Sequence, residues 1–278
     1  MFNKIAIIGV GLIGGSMGLA AKRKKLAKEI VGVCRHRASL HQAKKIKAID
    51  RGTLDYKDAV QNAELVVLAA PVQEIIRLSR KIGPYLAPDC IVTDVGSTKQ
   101  KIVDQLDQAL PMHCNFVGGH PLAGSEKRSV SFARADLFKD AVCFLTRTKK
   151  TNLAALSKLS KFWRGLGSRV KIISPQRHDQ IVATVSHLPH LIAVELVNLV
   201  DKNIEFVASG FRDTTRIAAS EAEIWTDIFL TNDRHILGVL DTYIKRLKLF
   251  RGLIAEQDKS KLNYEFKKAK SLRDALQE

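Results

Sequence analysis

Two groups of residues have the types and spacing that chemistry needs. Gly9-Val10-Gly11-Leu12-Ile13-Gly14 stands directly after the apolar run Lys4–Ile8 and opens a small-residue stretch, Gly15-Ser16-Met17-Gly18-Leu19-Ala20-Ala21. Strand, glycine turn and helix in that order make a cradle for a pyrophosphate: glycines let the backbone turn tightly and approach the ligand, and the helix N-terminus meets its charge. Gly9, Gly11, Leu12, Ile13 and Gly14 are therefore expected to bind a dinucleotide, with Ala70 and Pro71, at the end of another buried run, lining the same ligand. Where an NAD enzyme carries an acidic residue at the end of its second strand, the chain reads Gly32-Val33-Cys34-Arg35-His36-Arg37. A carboxylate there would repel a 2′-phosphate, whereas Arg35 and Arg37, with Ser39 close by, could hold one by charge-assisted bonds. NADP is the expected cofactor and NAD the alternative; a solvated basic loop with Ser39 as a helix cap stays open.

The second group centres on histidine. His120 lies in Gly118-Gly119-His120-Pro121-Leu122-Ala123-Gly124-Ser125-Glu126. A neutral imidazole suits proton abstraction from an alcohol near physiological pH, although a His-Pro pair can equally be a plain turn. Asp94-Val95-Gly96-Ser97-Thr98-Lys99 ends a further apolar run, and Ser97 could cap the next helix or reach a bound ring. His187 and His190, in Ser186-His187-Leu188-Pro189-His190, are three apart and share a face if helical, with Pro189 at a kink or near the start. Core or capping histidines are the plain alternative. Gly210-Phe211-Arg212-Asp213-Thr214-Thr215-Arg216 adds cations able to bind carboxylates, and Trp225 lies beyond. No cluster with ligand spacing calls for a metal.

The elements that must position these groups fall into two parts. Lys4–Ile8, Ile30–Val33, Leu65–Leu68, Ile91–Val95, Phe116–Val117, Ala141–Leu145 and Val170–Ile173 are short runs of continuous apolar residues alternating with helical stretches. That pattern predicts strands buried on both faces of a parallel sheet, an α/β fold with an N-terminal Rossmann-type doubly wound domain over 1–174. From 175 to 278 helical periodicity takes over, predicting an all-helical domain. Ser220-Glu221-Ala222-Glu223 has the form of a capping box and predicts a helix carrying Trp225. Apolar stripes on several faces of this half predict that one is buried against a second copy, as a homodimer.

Composition narrows the class. No apolar run reaches the roughly 18 residues of a membrane span and no signal-peptide pattern opens the chain, so a cytoplasmic protein without membrane partners is expected. Cys34, Cys90, Cys114 and Cys143 have no CxxC spacing and are read as reduced. The net charge of +17 would attract polyanions, but the basic runs are dispersed and no aromatic interleaving points to nucleic acid.

Taken together and in order, the glycine loop, the Asp94–Lys99 stretch, Gly118–Glu126, Ser186–His190 and Gly210–Arg216 with Trp225 resemble the prephenate and arogenate dehydrogenase family. The resemblance runs from about residue 4 to about residue 232. It implies oxidative decarboxylation of prephenate to 4-hydroxyphenylpyruvate, on the route to tyrosine, with hydride passing to NADP. It assigns the ring-hydroxyl proton to His120, oriented by Ser97, and a substrate carboxylate to Arg216. His187 and His190 join the substrate site, His190 at the side chain that is a keto acid in prephenate and an amino acid in arogenate, which favours prephenate. Trp225 would form a wall. Glu126 and Asp213 match positions that pair with the arginines at the entrance, or they merely decorate a surface. Relatives commonly carry a glycine near Ser129, and the regulatory or mutase domains fused to some of them are not expected here. Rival readings are an arogenate dehydrogenase and, from another class, a non-catalytic NADP-binding sensor; a 3-hydroxyacid dehydrogenase would need a catalytic lysine that no motif supplies.

Overall fold

The computed structural model describes residues 1–124, 127 and 129–276. Its first compact unit, Met1–Asp233, holds every strand described. It begins with β1 (Phe2–Ile8), α1 (Leu12–Arg23), β2 (Ala27–Val33), α2 (Arg37–Lys45), β3 (Arg51–Thr53) and α3 (Tyr56–Val60). Then come β4 (Leu65–Leu68), α4 (Val72–Ile82), β5 (Ile91–Asp94), α5 (Gln100–Ala109) and β6 (Asn115–Val117). The strands form one parallel sheet in the order β3-β2-β1-β4-β5-β6, with β1 flanked by β2 and β4 in register Ile5↔Ile30 and Ile5↔Leu65. The order reverses at β1, which opens a crevice at the strand C-termini where ligands of such sheets bind.

Why the central runs are continuously apolar is visible in the packing. Ile5, Ile7, Leu65 and Val67 enter one core with Met17, Ile30 and Trp163. Their neighbours Ala6, Ile8, Val66 and Leu68 enter another with Ile75, Ile82 and Ile102. Alternate residues point to opposite faces, so both faces being covered requires every position to be apolar.

Two strands go beyond the sequence expectation. β3 is a short edge strand of Arg51-Gly52-Thr53, without apolar signal. β7 (Gly119–Pro121) carries His120 and pairs antiparallel with β8 (Val142–Thr146), which pairs parallel with β9 (Arg169–Ile173), past the helix α6 (Leu153–Gly165). The last runs thus build a separate three-stranded sheet, β7-β8-β9, rather than extending the first.

Ser174 caps α7 (Pro175–Val182), accepting from the Arg177 amide at 3.1 Å, and Pro175 sits in the first turn where its missing donor costs nothing. A π-helical turn, Ala183–His187, leads into α8 (Leu188–Val200), so Pro189 stands near a helix start, directly after the irregular turn. α9 (Ser209–Thr215) and α10 (Ala222–Thr231) follow. The expected capping box at Ser220 does not form: Glu221 is the N-cap, and the Ser220 hydroxyl instead donates to the Ile217 carbonyl at 2.8 Å. Contrary to the expectation from sequence, one helical stretch among the described residues, Pro175–Val200, is long and apolar enough to cross a membrane by length and composition, at a mean hydropathy of 1.4. It also holds His178, Asp179, His187 and His190, all buried.

The second unit, Arg234–Glu278, contains most of α11 (Asp233–Ala255) together with α12 (Lys259–Asp274). Asp258 caps α12 through the Lys261 amide at 2.9 Å, and Arg246 pairs with Glu265. Leu247, Ile254, Tyr264, Phe266 and Leu272 are exposed on these helices.

Candidate active site

The dinucleotide end is set by close backbone approach. Gly9 takes φ +99, and a Cβ there would stand 2.1 Å from the Ala69 carbonyl oxygen at the end of β4; one at Gly14 would stand 2.2 Å from the Gly9 oxygen. Only glycine permits that turn, and the cradle left at the α1 N-terminus has the shape and polarity a pyrophosphate requires. A cavity of about 510 Å³ opens beside it, bordered by Gly9, Gly11, Arg35, Ser39, Ala70 and Pro71. Leu12, Ile13 and Gly14 line the adjoining cleft of about 820 Å³, which Arg35 also borders.

Arg37 departs from its expected place. It begins α2 as an exposed residue outside the cavity wall, where His36 and Gln42 stand instead, so Arg35 is the guanidinium of the expected pair that borders the cavity. Glu74 of α4 faces the same cavity. Arg77, three residues on, donates to both its oxygens (2.7 Å from Nε), and this bond chiefly holds the Glu74 carboxyl below the usual range, with the Arg35 charge adding to it. Ser129, where relatives commonly have glycine, caps a short 3-10 turn by accepting from the Ser131 amide at 3.2 Å and borders the cavity.

His120 and Ser97 both line the larger cleft. The His120 Nδ1 lies 2.8 Å from His178 Nε2, and His178 Nδ1 lies 2.7 Å from Asp179 Oδ1. Asp179 also accepts the backbone amides of Lys99 (2.7 Å) and Gln100 (2.9 Å), capping α5 from across the fold. A carboxylate receiving these donors can only accept, which assigns the protons along the chain. His178 carries its proton on Nδ1, its Nε2 accepts from His120 Nδ1, and the remaining nitrogen of His120, Nε2, keeps its lone pair. Burial chiefly pushes both His120 and His178 well below the ordinary imidazole pKa, and the Lys99 charge adds to the effect on each. Both rings are neutral near pH 7, which is the form a proton acceptor needs. The hydrogen bond that orients His120 is thus the one it donates to His178, whereas the family resemblance pointed to Ser97.

The far wall is built by α10. Trp225 lines the cleft and stacks on His190 with centroids 3.4 Å apart and planes 6° from parallel. His187 meets Trp225 edge-on at 6.1 Å, and its Nδ1 is 3.2 Å from Asn232 Nδ2. His187 and His190 are buried and stand behind Trp225; neither is in the cleft lining, which takes Ser186 and Pro189 from that segment. The cost of burial pushes both imidazoles down to about 4. Thr231 ties α10 to the Ser97 loop through the Thr98 hydroxyl at 2.9 Å.

Arg216 borders the cleft, Asp213 is exposed and outside its lining, and Glu126 lies outside the described residues. The fold therefore brings together His120, Ser97, Arg216, Trp225 and the glycine turn. Sequence reasoning missed His178, Asp179 and Asn232. The signal for the first two was faint: a His-Asp pair in the first turn after Ser174-Pro175, whose partners are 58 and 80 residues away.

A glycine cradle at a sheet switch point, with a neutral histidine in the adjoining cleft, defines a pyridine-nucleotide-dependent dehydrogenase. Residues 17–172 match the family description "Prephenate dehydrogenase, nucleotide-binding domain" and residues 174–268 match "Prephenate dehydrogenase, dimerization domain". The chain is similar to the prephenate dehydrogenase of Bacillus subtilis, 37% identical over 99% of this chain and 76% of the relative. It is equally similar, at 37% identity over 99% and 97% of the two chains, to the cyclohexadienyl dehydrogenase of Zymomonas mobilis. The crystal structure of prephenate dehydrogenase from A. aeolicus with hydroxyphenyl propionate and NAD+ superposes with a TM-score of 0.94 at 32% identity, covering 99% of each chain. The chain belongs to the prephenate dehydrogenase family.

Proposed function

We propose that this chain oxidises prephenate with loss of CO2, giving 4-hydroxyphenylpyruvate, and that His120 takes the proton of the ring hydroxyl. The Asp179–His178–His120 hydrogen-bond series supports this reading, since it leaves Nε2 of His120, a residue of the cleft wall, as the acceptor. A nicotinamide held by the glycine cradle would supply the hydride acceptor. As the proton moves to His120, the imidazolium that forms is stabilised through His178 by the Asp179 carboxylate. The hydroxyl-bearing carbon becomes a carbonyl, and the ring is then a vinylogous β-keto acid. The C–CO2 bond breaks, its electrons enter the ring, and aromatisation makes the reaction effectively irreversible. The remaining task is placement: Arg216 binds one carboxylate, Trp225 packs on the ring, and Ser97 contacts the hydroxyl end. His190 acts on the keto-acid end through Trp225, on which it stacks.

NADP is the proposed cofactor, on the strength of Arg35 at the cavity rim and the lack of an acidic residue closing β2. Because Glu74 borders the same cavity already paired with Arg77, it would oppose a 2′-phosphate less than a bare carboxylate. The domain division is proposed at residue 174, where the two family descriptions meet, although contacts within the chain separate a unit only at 233. A homodimer in the cytoplasm completes the reading, supported by the exposed apolar side chains of α11 and α12 and by four cysteines that are all free. Purified protein incubated with prephenate or arogenate and with each nicotinamide, followed by chromatographic identification of the product, tests it. 4-Hydroxyphenylpyruvate formed with NADP is the expected result; tyrosine from arogenate alone, or no reduction of either nucleotide, overturns it.

A further inference from the structure

Asp94 and Lys99 form an ion pair with no solvent exposure at either side chain, flanking the Val95–Ser97 segment that lines the cleft. Burying such a pair contributes little net stability, since desolvating both charges offsets their attraction, and apolar residues of similar volume often do as well. Its bonds, however, reach both halves of the proton-transfer site. Asp94 Oδ2 accepts the Gly96 amide at 2.8 Å, next to Ser97, and Oδ1 accepts the Gly119 amide at 3.1 Å, next to His120. Lys99 contributes at both ends: its ammonium pairs with Asp94, while its backbone amide binds Asp179 Oδ1, the same oxygen that orients His178.

Close packing surrounds the pair. A Cβ at Gly96 would stand 2.6 Å from Ile102 Cδ1 and 2.9 Å from Asp94 Oδ2, one at Gly119 would stand 2.8 Å from the Asp94 carbonyl oxygen, and one at Gly118 would stand 2.6 Å from Thr146 Oγ1. The Gly-Gly before His120 thus lets that strand lie against the β5 backbone and Thr146, which keeps the Gly119 amide within reach of Asp94 Oδ1.

We propose that the buried Asp94–Lys99 pair is a positioning device, clamping the Ser97 loop to the His120 strand so that the proton acceptor and the ring hydroxyl meet at a fixed separation. The proposal rests on the role assigned to His120 above. It requires that loss of the clamp depress turnover rather than binding, because the dinucleotide cradle on β1 and α1 is held by other contacts.

The test is the combined variant Asp94→Asn with Lys99→Met, which removes both charges and so leaves none buried alone. Its expected signature is a thermal midpoint within about 5 °C of the parent, cofactor Kd within about threefold, and kcat lower by about a hundredfold, the penalty typical of an ångström-scale misplacement. In a His120→Ala background the same pair of changes should cost almost nothing further, since the clamp acts through that imidazole. If the combined variant does not fold, Asp94→Glu carries the test, because it keeps both charges but shifts the carboxylate by one methylene relative to the Gly96 and Gly119 amides; a kcat-selective loss supports the clamp, and unchanged kcat overturns it. Unchanged kcat in a folded variant, or a loss undiminished on top of His120→Ala, overturns it while the parent still turns over prephenate. A parent with no such turnover overturns the functional reading and the clamp with it.

Discussion

Replacing Asp179 by asparagine removes one negative charge from the end of the imidazole series while nearly preserving volume. The carboxylate is separated from His120 by hydrogen bonds of 2.7 and 2.8 Å with the His178 ring between them. That places the charge roughly 7 to 8 Å from the imidazolium that develops on His120; at an effective dielectric near 20, the lost attraction is about 2 kcal/mol. Since this attraction exists only after the proton has moved, it belongs to the transition state, and kcat should fall about 30-fold with little change in KM. The amide nitrogen of the introduced side chain would also oppose either the Gln100 or the Lys99 amide, a buried donor mismatch costing about 1 to 3 kcal/mol of stability. Initial rates at saturating prephenate and cofactor, normalised to folded protein by circular dichroism, measure the effect. A folded variant with kcat within about threefold of the parent would mean that no charge-stabilised imidazolium forms on His120.

Acid should act on both activity and stability. His187 and His190 are held down to about 4, so the unfolded chain, with ordinary imidazoles near 6.5, binds more protons below that pH; stability is intact above about pH 6.5 and is lost as pH falls toward 4, by up to about 1.4 kcal/mol per unit for each ring. A thermal midpoint flat across that window contradicts the burial of these rings. Because His120 is depressed as well, the acid limb of kcat/KM should lie below the ordinary histidine range, and a limb at or above about 6.5 contradicts its neutral state. Gly9→Ala puts a Cβ 2.1 Å from a backbone oxygen at a left-handed φ, so cofactor affinity should drop at least about a hundredfold, read by calorimetric titration. Arg35→Ala should raise the Kd for NADP about tenfold or more and leave that for NAD within about threefold; equal losses would mean that Arg35 does not read a 2′-phosphate.

The glycine turn, the central strands and the change to helices after Pro175 were legible because they rest on local rules: glycine at a sterically closed turn, and continuous apolar runs where both faces are covered. β3 and β7 were not, since three residues of mixed polarity carry no period and are strands only through their neighbours. For the site, His120, Ser97, Arg216 and Trp225 were found through motifs, and each borders the cleft. Arg37 lies outside the cavity lining because helix α2 starts on it, a boundary that residue type alone does not mark. His178 and Asp179 escaped notice for a different reason: their roles consist of hydrogen bonds to His120, Lys99 and Gln100, on segments 58 to 80 positions distant, and only the packing of α7 against β7 and the start of α5 creates them.

If a neutral His120 accepts the ring-hydroxyl proton, removing its imidazole must depress turnover and spare cofactor binding. Steady-state kinetics of His120→Ala with prephenate, paired with a cofactor binding titration, measures both. The expected outcome is a fall in kcat of about two orders of magnitude or more with cofactor Kd within about threefold of the parent. A variant that retains near-parental turnover, or loses cofactor binding in proportion to its activity, would contradict it.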